Sequence, residues 1–190
     1  QIGATNDVKA IVVGSVDATN TMALFTDDSG AQAWTIGNAG ATVDTATMNV
    51  DSDDGALTIA GTINGTTDTD VLNVYDVGAG AAGNAITFSG VIGGTTPIDT
   101  INIGSTTDSG NGDFNASVSA TNFNMTAGGA QGETALVDFA TGTTATIGTV
   151  TMTAGSANAD QDVTMTFTDA IGAATAITMD DVAAKGSTLI

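Results

Sequence analysis

The fold is decided by a stretch that occurs twice: LTIAGTINGTTDTDVLNV at residues 57–74 and ITFSGVIGGTTPIDTINI at residues 86–103. Each copy reads as an alternating strand, a Gly-Thr-Thr corner and a second alternating strand. The apolar positions agree in kind, and these positions are identical: Thr58/Thr87, Gly61/Gly90, Ile63/Ile92, Gly65/Gly94, Thr66/Thr95, Thr67/Thr96, Asp70/Asp99 and Asn73/Asn102. One such unit exposes an apolar face that it cannot cover alone, so the copies are predicted to stack.

Outside the duplication the chain also reads as short strands. Residues 113–125 look like a shortened third copy with the corner trimmed, and the alternating runs that follow end in Gly- or Asp-rich turns. No amphipathic helical pattern is present, so the class is all-β and a single domain is expected over residues 1–190. Residues 1–50 carry strands that do not follow the repeat, and they are expected to form a cap or a donor segment for the repeat-containing residues 51–190.

Two architectures fit this strand pattern. In a parallel β-solenoid (β-helix), each coil stacks on the previous one, so identical residues at matched repeat positions lie above one another. In an antiparallel β-sandwich of pilin or surface-layer type, the same strands would form hairpins, and more aromatic residues and prolines are expected. The matched Gly, Thr, Asp and Asn positions favour the solenoid.

At the corners of the repeat, the Asp70 and Asp99 side chains are interpreted either as calcium ligands or as acceptors of a hydrogen bond from a backbone N–H.

The duplicated stretch and its continuation, ITFSGVIGGTTPIDTINI followed by DFNASVSATNFNMTAGG at residues 113–129, resemble the degenerate repeats of large secreted bacterial surface proteins. These are of the filamentous-haemagglutinin, autotransporter-passenger and surface-layer types, and the resemblance covers about residues 56–129. It implies a right-handed parallel β-helix that acts as an adhesin, a fibre or a surface-layer component.

Charge and composition exclude several classes of function. Lys9 and Lys185 are the only cationic residues, and the net charge is −19, so nucleic acid is excluded as a partner and an anionic membrane surface is disfavoured. No apolar run is long enough to span a bilayer. The acidic, Gly- and Thr-rich composition and the first residue, Gln1, fit a mature secreted chain at the cell surface.

The chain also lacks most residue types that catalysis uses. His, Arg and Cys are absent, which excludes serine triads, Cys-His pairs and His-ligated zinc. A carboxylate glycosidase stays formally open because of the pairs at residues 27–28, 53–54 and 180–181. All three pairs lie in turn-like settings, however, so we expect no enzymatic activity and no required cofactor.

Calcium is the cofactor that the acidic turns favour. Asp51, Asp53 and Asp54 place several hard oxygen ligands on one tight turn, and Asp108 and Asp113 bound a second Asp/Gly-rich segment. The alternative is that Asp and Gly are there because they form good turns.

The apolar segments near the two termini are the candidate subunit interface, formed by Val8, Ile11, Val12, Val13, Leu189 and Ile190. They cap the same subunit, or they pair with a neighbouring one by strand addition. The leading hypothesis is a self-assembling extracellular subunit of a filament, pilus-like appendage or surface layer. The alternative is an adhesin or glycan-binding β-helix module, with calcium as an optional ligand.

Overall fold

The fold comes from a computed structural model, and the structure describes residues 11–13, 20–25, 33–37, 45–52, 56–67, 69–76, 84–127, 133–155, 162–169, 176–180 and 187–190. These residues form strands and connecting turns, with no helix among them. The strands are β1 (Ile11–Val13), β2 (Asn20–Phe25), β3 (Ala33–Ile36), β4 (Thr45–Asp51), β5 (Leu57–Ile59), β6 (Thr62–Asn64), β7 (Thr69–Tyr75), β8 (Ile86–Phe88), β9 (Ile98–Ile103), β10 (Gly110–Phe114), β11 (Val118–Ala127), β12 (Ala135–Phe139), β13 (Ala145–Ala154), β14 (Val163–Phe167), β15 (Ala176–Asp180) and β16 (Ser187–Leu189).

The strands build three sheets, and from β7 onward the chain alternates between the two larger ones. One sheet has the order β1-β3-β6, a second has β16-β14-β12-β10-β8-β5, and the third has β15-β13-β11-β9-β7-β4-β2. Every strand-to-strand pairing among the described residues is parallel. The chain is therefore a parallel β-solenoid, as the repeat predicted, and the antiparallel sandwich is wrong.

The two copies of the duplicated stretch lie directly above each other. Leu57 pairs with Ile86 on the first arm, Ile63 pairs with Ile92 by the corner, and Asn73 pairs with Asn102 on the second arm. The register therefore equals the sequence offset of 29 residues. Like residues stack on like because a one-residue slip would turn the apolar side chains of a strand out of the core.

The corner of the repeat is stabilised by carboxylates that accept hydrogen bonds from backbone N–H groups. Asp70 is fully buried, and its Oδ2 accepts the Thr66 N–H at 2.6 Å. In turn, the N–H of Asp70 donates to Asp99 Oδ2 at 3.2 Å, which links one corner to the next. Hydrogen bonds to backbone N–H groups therefore explain why Asp70 and Asp99 occupy these corners.

In the third copy, Val118 and Ala120 pair with the residues that flank the second corner, so most of the corner is missing there.

The core is one column of side chains between the sheets. Strand residues alternate between buried and half-buried, and the buried ones are almost all apolar. Aromatic residues stack along the column: Phe114 lies 5.1 Å from Phe88 and 5.1 Å from Phe139, measured between ring centroids. Phe167 continues the stack on Phe139 at 4.7 Å. Burial of this column is the main stabilising term of the fold.

The described strands of residues 1–50 belong to the same sheets. Strand β4 pairs with β7, β2 pairs with β4, and β1 pairs with β3, all in parallel register. They therefore form earlier coils of the solenoid, although their sequences do not repeat the later ones. The part of this segment outside the described residues includes 1–10 and 14–19.

Glycine at position 90 is required because adjacent coils approach closely there. A Cβ on Gly90 would lie 1.8 Å from the carbonyl oxygen of Gly61, whose own φ is +86°.

We expect Gly90→Ala to lower the free energy of unfolding by about 2–3 kcal/mol, since the backbone must move. Gly94→Ala is the matched control, because its Cβ would meet only the Val91 side chain. Urea unfolding followed by circular dichroism measures both, and equal midpoints would contradict this account.

Candidate functional site

The last coil leaves core-facing side chains uncovered. Ile177 and Met179 on β15 pair with the buried residues Val150 and Met152, so they continue the core column. Their exposed fractions are nevertheless 39% and 41%, because no described strand covers them on the other side. Together with Leu189 and Ile190 they are the exposed large hydrophobic residues of the described chain. We call these four residues the open end.

Strand β16 shows the same arrangement in the neighbouring sheet. Its Leu189 pairs with Met165, and the Ile190 N–H donates to the Met165 carbonyl at 3.0 Å. Both strands are edge strands, with backbone groups on one side that no described strand satisfies. The structure thus places Leu189 and Ile190 at an accessible edge and adds Ile177 and Met179, which the sequence analysis did not assign to the interface.

At the other end of the solenoid, β1 and β2 are edge strands. Residues Ile11, Val12 and Val13 pair with β3 of their own chain on one side. Val8, the other N-terminal residue predicted at the interface, lies outside the described residues. The two edges of the seven-stranded sheet are consequently β2 and β15, which run in the same direction along the same axis.

The structure describes only part of the acidic turns predicted to bind calcium, and it places Asp51 of one turn and Asp108 of the other near Tyr75. Asp51 is buried at the end of β4, whereas Asp53 and Asp54 lie outside the described residues. Asp108 Oδ2 accepts hydrogen bonds from the hydroxyls of Ser105 at 2.9 Å and Thr107 at 2.8 Å. Among the described residues no three acidic side chains gather as metal ligands. Calcium binding stays a prediction.

Asp113 lies on the outer face of β10, next to Asp138 on β12. Burial raises the pKa of the Asp113 carboxyl above its ordinary value, and the neighbouring Asp138 carboxylate raises that pKa further. The row continues with Thr87 on one side and Thr166 on the other. Two like charges on adjacent strands therefore oppose folding when both are ionised.

Replacing Asp113 with Asn is expected to stabilise the protein in a pH-dependent way. A pKa that is higher in the folded than in the unfolded state means that ionisation opposes folding, so the penalty is present at neutral pH and disappears on acidification. We expect Asp113→Asn to raise Tm by about 1–3 °C at neutral pH. Near pH 3, below the ordinary pKa of Asp, the gain should vanish.

Thermal scans of the two proteins at both pH values check this expectation. Asp138→Asn is the control, because it removes the neighbouring charge but leaves the Asp113 carboxylate partly buried, so its gain at neutral pH should be smaller. A gain for Asp113→Asn that persists undiminished near pH 3 would contradict the electrostatic explanation.

The outer face of the seven-stranded sheet carries a row of stacked amides. The Nδ2 of Asn73 donates to Asn49 Oδ1 at 2.7 Å, and the Nδ2 of Asn102 donates to Asn73 Oδ1 at 2.8 Å. Asn124 continues the row with a 2.9 Å bond to Asn102. We call these four residues the asparagine ladder. The repeat match of Asn73 with Asn102 was the sequence signal for it.

A cleft of about 480 Å³ lies beside the middle of the asparagine ladder. Asn73 and Asn102 form one part of its lining, Tyr75 and Thr126 another, and the turn at residues 104–108 forms a wall. Tyr75 is partly buried there: burial raises the pKa of its hydroxyl, and the carboxylates of Asp51 and Asp108 add to the rise. The sequence interpretation missed this site, because Tyr75 lies outside the matched stretch.

Within the described residues there is no helix of the length and apolarity needed to cross a membrane. The comparisons with known proteins identify no family for this chain. No protein-family model, curated protein or solved structure gives a significant match to this chain.

Proposed function

We propose that the protein is an extracellular structural subunit that assembles head to tail, by pairing of edge strands, into a filament, pilus-like appendage or surface layer. The observation that carries the proposal is the open end. Ile177, Met179 and Leu189 are exposed although they sit in line with the core column, and Ile190 is exposed next to Leu189. Contiguous exposed apolar side chains beside unpaired backbone favour the addition of another strand.

A second copy of the same chain is the occupant that fits this edge best. Strand β2 begins the seven-stranded parallel sheet and β15 ends it, so β2 of one subunit can follow β15 of another without a change of strand direction. Such a contact joins two different surfaces and does not close on itself, which generates an open fibre.

The charge of the chain restricts how subunits meet. A net charge of −19 opposes lateral association, whereas an end-to-end contact brings only the terminal coils together. Divalent cations such as Ca²⁺ would screen the repulsion and promote lateral contacts between filaments. The proposed role is structural, non-enzymatic and extracellular.

Electron microscopy and sedimentation of the purified chain, with calcium and with chelator, test the proposal. We expect rods of uniform width whose length increases with protein concentration, in both conditions, and bundles only with calcium. Monodisperse monomers at every concentration and in both conditions would contradict it. If filaments form only with calcium, head-to-tail assembly is supported and the metal is part of the contact between subunits.

A further inference from the structure

The cleft beside the asparagine ladder has the chemistry of a binding site rather than of a packing gap. Its described lining consists of amides, hydroxyls, backbone, one aromatic ring and the carboxylate of Asp108, with no aliphatic wall that would attract an apolar ligand. Within the described residues the Tyr75 hydroxyl has no hydrogen-bond partner. A cavity with one amphipathic ring and a few placed polar groups is the usual form of a small-ligand site.

The asparagine ladder offers a regular set of donors and acceptors to such a ligand. A side-chain amide has two N–H donors and an oxygen with two lone pairs. Asn73 and Asn102 each use one donor and one acceptor position along the ladder, so a donor and an acceptor remain on each amide. Neighbouring strands repeat this pair about every 4.8 Å.

Charge narrows the class of ligand. No cationic side chain lines the cleft among the described residues. The carboxylates of Asp51 and Asp108 lie close enough to Tyr75 to raise the pKa of its hydroxyl. Phosphates, sulfated sugars and uronic acids are therefore disfavoured in a chain with a net charge of −19. The Asp108 carboxylate already accepts two hydroxyl hydrogen bonds from its own turn, which reduces its attraction for an organic cation.

We infer that this cleft binds a neutral oligosaccharide, with a sugar ring against Tyr75 and sugar hydroxyls on the free amide positions of Asn73 and Asn102. Paired hydroxyls on adjacent ring carbons present one donor and one acceptor each, which complements a row of amides. The ring of Tyr75 covers the apolar face of the sugar. This inference does not depend on filament formation, because the cleft lies on the outer face of the solenoid and not at its ends.

The test uses the fact that Tyr75 is the only tyrosine in the chain. Protein labelled with ¹³C-tyrosine gives ring resonances from this site alone. Cellohexaose, maltohexaose and laminarihexaose are titrated as neutral probes, oligogalacturonate as an anionic probe and tetramethylammonium as a cationic probe. We expect at least one neutral hexasaccharide to shift the Tyr75 resonances in a saturable way, and neither charged probe to do so.

Calorimetric titrations of three variants with the active hexasaccharide then locate the contact. Tyr75→Ala should weaken binding at least about tenfold, and Tyr75→Phe, which keeps the ring, should weaken it by less. Val71→Ala is the matched control, because it lies on the same strand away from the cleft, and it should leave affinity unchanged. The inference is overturned if no neutral probe shifts Tyr75, if only a charged probe does, or if Tyr75→Ala binds as well as the parent chain.

Discussion

Replacing both Ile177 and Met179 with lysine is expected to abolish filament formation while the subunit stays folded. Both side chains lie on the core-facing side of β15 at the open end. A second subunit bound there would bury the two unpaired ammonium groups of the new lysines. Burial of an unpaired charge costs several kcal/mol, and inward-pointing charges are a natural device for blocking strand addition. We expect the critical concentration for assembly to rise at least about 100-fold.

The matched control is Thr178→Lys, which adds the same charge between the two positions. Thr178 pairs with Thr151, in the row that continues the asparagine ladder on the outer face, so a lysine there stays in solvent. Sedimentation measures the critical concentration of each variant, and circular dichroism checks that each remains β-rich. Assembly of the Ile177→Lys/Met179→Lys variant at the parent concentration would contradict the proposed contact.

Phe114→Ala is expected to produce the largest loss of stability among single core substitutions, about 3–5 kcal/mol. Phe114 is fully buried and stacks on aromatic rings on both sides, with a third ring edge-on at 5.9 Å. The surrounding strands belong to three consecutive coils and cannot collapse into the space that the ring leaves. A cavity would therefore remain in the middle of the column.

The comparison is with Phe167→Ala at the end of the same stack. Phe167 is only partly buried and stacks on one ring, so solvent can fill part of the space and the loss should be clearly smaller. Urea unfolding followed by circular dichroism and by the fluorescence of the buried Trp34 measures both losses. Equal losses would contradict the idea that the stack is most tightly packed at its centre.

The register of the solenoid could be predicted from the sequence because it rests on local periodicity. The alternation of apolar residues sets which face of each strand is buried, and the matched Asn73 and Asn102 set how one coil aligns with the next. The corner carboxylates Asp70 and Asp99 were predictable for the same reason, since one of two readings was a hydrogen bond to a backbone N–H.

The open end and the cleft could not be predicted in this way, because both depend on distant parts of the chain. Ile177 and Met179 have the same alternating pattern as Val150 and Met152, and only the absence of a covering described strand makes them exposed. The cleft exists because the turn at residues 104–108 stands beside Tyr75, which lies on the previous coil. The strands of residues 1–50 were recognised, but their place in the same sheets was not, because their sequences do not match the repeat.

The measurement that tests the central claim most directly is cross-linking between single-cysteine subunits. The chain has no cysteine, and positions 23 and 178 lie in one row of the seven-stranded sheet, at its first and last strands. If one subunit continues the ladder of the next, Ala23→Cys subunits and Thr178→Cys subunits should cross-link to each other through a short thiol-reactive reagent, while neither cross-links to itself. Cross-linked dimers from either variant alone, or none from the mixture under filament-forming conditions, would contradict head-to-tail stacking.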